Sequence, residues 1–145
     1  MICLVNVEDR IPQSHALRKT KPIADKVLKE LSQSFGRMYS RTGRPSIPPE
    51  RLLKGMLLIA FYSIRSETEL CQQLDYNIFF RWFLDMDLVE PSFDHCAFSD
   101  NRERMLKHDA AGKFFRGVVR EAQSEDLMSK EHFSVDGTLM RRGLR

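Results

Sequence analysis

Cysteine is scarce in this chain, and the three that occur, Cys3, Cys71 and Cys96, lie far apart with no CxxC pair. That spacing excludes a disulfide framework and a zinc site built on paired thiolates, and it fits reduced thiols. The four histidines, His15, His95, His108 and His132, show no metal-binding spacing either. No apolar run approaches the roughly 18 to 20 residues that span a bilayer, because Leu52 to Ile64 is interrupted by Lys54 and flanked by Arg51 and Arg65. The opening Met1-Ile2-Cys3-Leu4-Val5-Asn6-Val7 lacks the basic start, long apolar stretch and small-residue cleavage site of a secretory signal. No membrane partner and a cytoplasmic location are the expectations. Internal repeats and low-complexity tracts are also missing.

What is present is an ordinary globular composition: 145 residues, 42% apolar and 30% charged, enough for one domain with its own core. The formal charge of +3 says nothing about the body of the chain, since Arg141, Arg142 and Arg145 supply all of it. Charge is nevertheless segregated. Arg37, Arg41, Arg44, Arg51 and Lys54 face only Glu50 in their stretch, and residues 99–120 are again mostly basic. Residues 65–94 run acidic, which permits one basic face elsewhere. Solvated helix faces with chance clustering would look the same.

Helical periodicity dominates. Pro22 suits a first helical turn, Asp25 complements the positive end, and Ile23, Val27, Leu28, Leu31 and Phe35 recur at helical spacing until Gly36. Residues 39–49, rich in Gly, Ser and Pro, read as an extended connector carrying Arg41 and Arg44. Pro48 and Pro49 then open a helix apolar over most of its circumference, with Arg51 and Lys54 on its expected wet side. Ser66-Glu67-Thr68-Glu69 has the form of a capping box, so another helix starts there. The aromatic segment Ile78 to Phe83 reads as core, followed by an acidic loop. Asp94 can cap a helix whose outer face would present Ser99, Asn101, Arg104 and Lys107, and Asp109 can cap a last, strongly amphipathic one.

A polar, basic helix after a short helix and turn has the shape of a groove-reading, helix-turn-helix-like element. Arginine and asparagine there could meet base edges, with Arg102 or Arg104 as the reader. Arg41, Arg44 and Arg65 add candidate DNA contacts. A surface helix of mixed charge explains the same spacing. Beyond it, Phe133 and Val135 alternate with Ser134 and Asp136, which predicts a short strand over residues 131–136 ending in a carboxylate. A strand-end aspartate of this kind can share divalent cations with other carboxylates in phosphoryl transfer, but one carboxylate cannot hold a metal pair.

The segments Val7-Glu8-Asp9-Arg10-Ile11-Pro12, Thr42-Gly43-Arg44-Pro45-Ser46-Ile47-Pro48-Pro49-Glu50, Tyr62-Ser63-Ile64-Arg65-Ser66-Glu67, Leu74-Asp75-Tyr76-Asn77 with Phe80-Arg81-Trp82-Phe83, Phe98-Ser99-Asp100-Asn101-Arg102 and His132-Phe133-Ser134-Val135-Asp136-Gly137-Thr138 occur in this order. Together they resemble the N-terminal part of bacterial insertion-sequence transposases of family five. The resemblance implies a helical domain, residues 1–130, that binds the terminal inverted repeats of a transposon as double-stranded DNA and helps assembly. Residues 131–145 would begin a ribonuclease-H-like catalytic domain of DDE type, with Asp136 as the first catalytic and metal-binding carboxylate and Mg²⁺ as the family's cofactor. Cys96-Ala97 and Asp100 depart from the family's usual residues at those positions.

The chain continues only nine residues past Asp136. The expectation is therefore a mainly α protein ending in the first strand of a truncated catalytic domain, binding no Mg²⁺ stably and inactive in strand transfer by itself. An alternative is a helical interaction module that forms mixed oligomers with full-length transposase and inhibits it; a homo-oligomer is a further possibility. Val135-Asp136-Gly137-Thr138-Leu139 is also similar to the first motif of haloacid-dehalogenase-type phosphatases, but Ser134 stands at that class's nucleophile position and a helical domain lies upstream.

Overall fold

The computed structural model describes residue 2 and residues 4–39 and 47–125, the side chains of Met38 and Tyr39 excepted. Arg41, Arg44, Asp136 and the strand expected over 131–136 lie outside the described residues. Among the described residues the chain is mainly α, with helices α1 (Val7–Arg10), α2 (Leu17–Tyr39), α3 (Pro49–Phe61), α4 (Glu67–Tyr76), α5 (Ile78–Phe83), α6 (His95–Lys107) and α7 (Ala110–Ser124) and no strand.

The centre is α3, opened as expected by Pro49 at its first position, where a missing N–H costs nothing. Leu52, Leu53 and Leu58 are fully buried on it, and α6 closes over it through Phe98. Contact there is tight: a Cβ placed on Gly55 would lie 3.1 Å from the Phe98 ring and 3.2 Å from Leu70. The amphipathic α7 buries Phe114, Phe115, Val118, Val119 and Ala122 as its periodicity requires. It runs antiparallel to α2, because Lys26 pairs with Glu121 at 2.9 Å while residues 31–37 of α2 meet Ala110 and Lys113. Gly117 allows this approach, since a Cβ there would sit 2.6 Å from Val27.

Two helix boundaries differ from the sequence expectation. α2 begins five residues before Pro22 because Nδ1 of His15 accepts a hydrogen bond from the Leu17 N–H at 3.1 Å and Leu17 is buried, so the start is set upstream. Pro22 is tolerated inside the helix on an exposed position. Gly36 does not end α2 either. It is exposed with open space around it, and the helix continues past it while Phe35 stays buried.

Helix ends carry a signal the sequence concealed. Ser63 and Asp85 hold left-handed backbone (φ 53° and 57°) just beyond α3 and α5. The next N–H, of Ile64 or Met86, returns to the carbonyl of Ile59 at 3.3 Å or Arg81 at 2.8 Å, the Schellman arrangement. Ile64 and Met86 are buried as its apolar partners. Glycine, the usual marker, is absent from both positions.

The expected wet side of α3 is not wet. Lys54 is only 2% exposed, its ammonium ion-paired with Asp25 and, at 3.2 Å, with Asp85. Lys21 completes a quartet, 3.1 Å from Asp25 and 2.8 Å from Asp85. Arg51, half-buried, pairs with Glu90 at 2.7 Å. A helix apolar all round has no solvent side, so its two cations are covered by acids from α2 and from the loop after α5.

Candidate nucleic-acid interface

The serine half of the capping box at α4 forms as the sequence predicts, and its glutamate reaches one residue further back than the N-cap. Ser66 Oγ accepts from the Glu69 N–H at 3.1 Å, and the Glu69 carboxylate accepts from the Arg65 N–H at 2.9 Å. This fixes Glu67 in the first turn, turned toward α6. There it accepts from the Ser99 hydroxyl and pairs with the Arg102 guanidinium. Arg65, Ser99 and Arg102, distant in sequence, thereby come together around one open cavity of about 350 Å³, with Ser66, Thr68 and His95 on its rim. Arg102 keeps a 41% exposed side chain, and its buried Nε has no hydrogen-bond partner. The cavity can present the Arg65 and Arg102 guanidinium donors to an anion, while Glu67, which accepts the Ser99 hydroxyl hydrogen, holds Arg102 in place.

The rest of α6 departs from expectation. Asn101 does not reach the outer face: it is buried, and its side-chain amide donates to the Ala97 carbonyl at 2.7 Å. With Phe98 and Met105 pointing to the core, the opposite stripe carries Cys96, Asp100, Glu103 and Lys107, all exposed. Two carboxylates therefore lie on the outermost line. Arg102 is half-exposed on one flank, Arg104 half-buried on the other, and Lys107 is exposed in the last turn. Leu106 is 56% exposed. Asp94 and Asp109 precede α6 and α7, but neither carboxylate accepts a capping hydrogen bond; Asp109 pairs instead with Arg116 at 2.8 Å.

Other cations of the quoted segments are engaged internally. Arg81 is buried and donates to the carbonyls of Leu74 and Asp87. Arg18 donates to the carbonyls of Glu8 at 2.8 Å and Ile11 at 2.7 Å and lies 5.1 Å over the Trp82 ring. The Trp82 indole N–H donates to the Glu8 carboxylate, which docks α1 on α5. In the quartet, burial acts against the charge of Lys21, but hydrogen bonds and charge from Asp85 and Asp25 prevail and raise its pKa. Burial likewise opposes ionisation of Asp85, yet Lys21 and Lys54 hold its carboxyl below the ordinary range.

Magnesium is not supported by the described residues. One group of potential ligands converges, Asp94, His95 and Cys96, with ligand atoms within 4.8 Å of one another and all exposed. One carboxylate, an imidazole and a thiol do not make the oxygen-rich set Mg²⁺ requires. Nor is Cys71 reactive: burial, reinforced by Asp94, Glu67 and Asp75, pushes its thiol up to about 11. Among the described residues no helix is long and apolar enough to cross a membrane.

A family model described as a transposase domain (DUF772) matches residues 5–104, a span from just before α1 into the last turn of α6. No curated protein and no solved structure matches the chain.

Proposed function

Proceeding from the chain's membership of the DUF772 transposase-domain family, shown by a match over more than two-thirds of its length, we propose that it is a DNA-end-binding domain of an insertion-sequence transposase. The observation that carries the reading is the convergence of Arg65, Ser99 and Arg102 on one solvent-open cavity, two of them on the helix with the helix-turn-helix-like position. A guanidinium held by a neighbouring carboxylate, as Arg102 is by Glu67, is a pre-oriented donor for phosphate oxygens. Arg102 and Arg65 position the duplex on one flank of α6, and Arg104 and Lys107 contact it from the other flank and the last turn. The carboxylates of Asp100 and Glu103 are acceptors suited to cytosine amino groups in a major groove and repel phosphate elsewhere, which favours discrimination over raw affinity. Assignment to family five and to DDE chemistry, with Asp136 as a metal-binding carboxylate, belongs to the same proposal and rests on the ordered segments in the sequence.

The test is competition. Full-length chain is bound to labelled duplex carrying the element's terminal inverted repeat, and unlabelled repeat or shuffled duplex is added. Preferential displacement by the repeat, with affinity falling steeply as salt rises, is the expected result. Equal displacement by both duplexes would reduce the interaction to nonspecific charge.

A second reading is favoured by one feature. Leu88 and Val89 are 45% and 92% exposed beside a cavity of about 630 Å³ that also touches Val5 and Trp82. An apolar rim of this kind suits association with another transposase subunit. Co-expression with a complete relative separates the readings: co-purification with reduced transposition supports mixed oligomers, and independent behaviour removes them.

A further inference from the structure

Three consecutive residues at the start of α6 bring three different metal-ligating atoms together. Asp94 has the extended backbone of an N-cap (φ −71°, ψ 131°), yet its carboxylate accepts no capping hydrogen bond. It is turned instead toward the two side chains that follow. A carboxylate oxygen of Asp94, a ring nitrogen of His95 and Sγ of Cys96 all lie within 4.8 Å of one another, and all three residues are exposed. The sulfur is 3.7 Å from Nδ1 and 4.0 Å from Nε2 of the imidazole. Neighbours inside a helix do not face each other, and it is the extended backbone of Asp94 that lets its carboxylate join the other two. Of the two described cysteines, Cys71 is buried with its thiol pushed up to about 11, so Cys96 is the one open to a ligand.

We infer that Asp94, His95 and Cys96 bind a zinc ion, with water in the fourth tetrahedral position. One oxygen, one nitrogen and one sulfur make a mixed donor set that Zn²⁺ accepts in full, whereas Mg²⁺ and Ca²⁺ select oxygen alone. Tetrahedral bonds of about 2.0–2.3 Å need ligand atoms roughly 3.3–3.8 Å apart, so rotation of exposed side chains by about 1 Å closes the site. The thiol proton leaves to solvent on binding, and the imidazole coordinates as its neutral form. Thiolate and carboxylate then bring two full negative charges to the ion. The amino end of α6 opposes a cation with only about half a charge, and before the ion arrives it favours both anionic ligands. The site stands independently of duplex binding, because none of its three ligands is among the cations assigned to DNA.

The experiment titrates the reduced, metal-stripped full-length chain with Co²⁺, whose thiolate charge-transfer absorption appears only when sulfur is a ligand. The expected result is a saturable band that one equivalent of Zn²⁺ discharges, that Cys96→Ser abolishes and that Cys3→Ser leaves intact. Asp94→Asn and His95→Gln should each weaken Zn²⁺ binding by more than the roughly tenfold that loss of an outer-shell partner costs. All three substituted ligands are exposed, so folding is preserved, and far-ultraviolet circular dichroism checks this. Zn²⁺ should also slow alkylation of Cys96 in the wild type far more than in His95→Gln. The absence of a band, a band that survives Cys96→Ser, or one lost in Cys3→Ser overturns the site. So does wild-type Zn²⁺ affinity in both Asp94→Asn and His95→Gln, which would leave a single thiol binding metal without its neighbours.

Discussion

Around Trp82 and around α6 the same residue types have opposite fates. Beside Trp82, Arg18, Lys21, Lys54 and Arg81 are tied to carbonyls and carboxylates of α1, α2, α4 and the loop after α5. They tie these elements together beside the shared core and are engaged within the protein. At α6 and the start of α7, Arg102, Lys107 and Lys113 extend into or beside open cavities or solvent. Basic residues among the described ones are thus either mortar or surface, and proximity to a recognisable motif does not tell which. Burial of the side chain does: Lys54 and Arg81 are buried, whereas Arg102 stays 41% exposed although Glu67 pairs with it.

The largest effect comes from undoing the surface region through its anchor. Phe98 is fully buried between α3 and α6, and Phe98→Ala should cost about 3–5 kcal/mol in a urea titration, releasing the helix that carries Ser99 and Arg102. A loss below about 1 kcal/mol would mean that α6 is held by something else.

Removing the mortar should cost less. Asp25→Ala combined with Asp85→Ala leaves Lys54 buried with neither carboxylate, and about 2–3 kcal/mol is expected. The usual figure for a broken buried pair is discounted because both carboxylates are more than one-third exposed. Wild-type stability should show the same quartet in its pH dependence. Asp85 has a depressed pKa in the fold, so its contribution is complete above its ordinary value of 3.8 and is lost as pH falls through the lower folded value. Lys21 has a raised pKa, so its contribution is complete below its ordinary value of 10.5 and is lost as pH rises through the folded one. Asp85→Asn should flatten the acid limb of a stability profile, and an unchanged limb would remove Asp85 from the account.

A smaller change tests the α2–α7 seam. Gly117→Ala forces Val27 aside, an overpacking cost of about 1–3 kcal/mol partly offset by roughly 1 kcal/mol of helix propensity, so a net loss of about 1 kcal/mol is expected. The smallest effect is chemical. Cys96, exposed, should alkylate in the native protein, while Cys71 should label only after unfolding; equal labelling of both would contradict the packing of α4.

Much of this was legible in the residues. Helical period and capping signals placed α3, α4, α6 and α7, whereas α5 was legible only as an aromatic core segment; Ser66 caps α4, with Glu69 reaching back to the Arg65 N–H. The mainly α class followed from the same patterning. What periodicity could not show was long-range pairing. Lys54 reads as solvent-facing until Asp25 and Asp85 are brought to it from 29 residues before and 31 after. Asn101 reads as a base-contacting residue until Ala97 and the core on its side of α6 account for it. Pro22 and Gly36 mark helix ends only where packing does not override them, and His15 with Phe35 does so here.

The division between the two regions is tested most directly by the salt dependence of duplex binding in Arg65→Gln with Arg102→Gln, set against Arg10→Gln with Lys19→Gln as an equal loss of exposed charge. The account predicts that the first pair shallows the slope of log affinity against log salt by about two, one per lost phosphate contact, while the control pair leaves it nearly unchanged. Equal slopes in the two variants would contradict it, because the cavity between α4 and α6 would then be no more a nucleic-acid contact than any other charged surface of the protein.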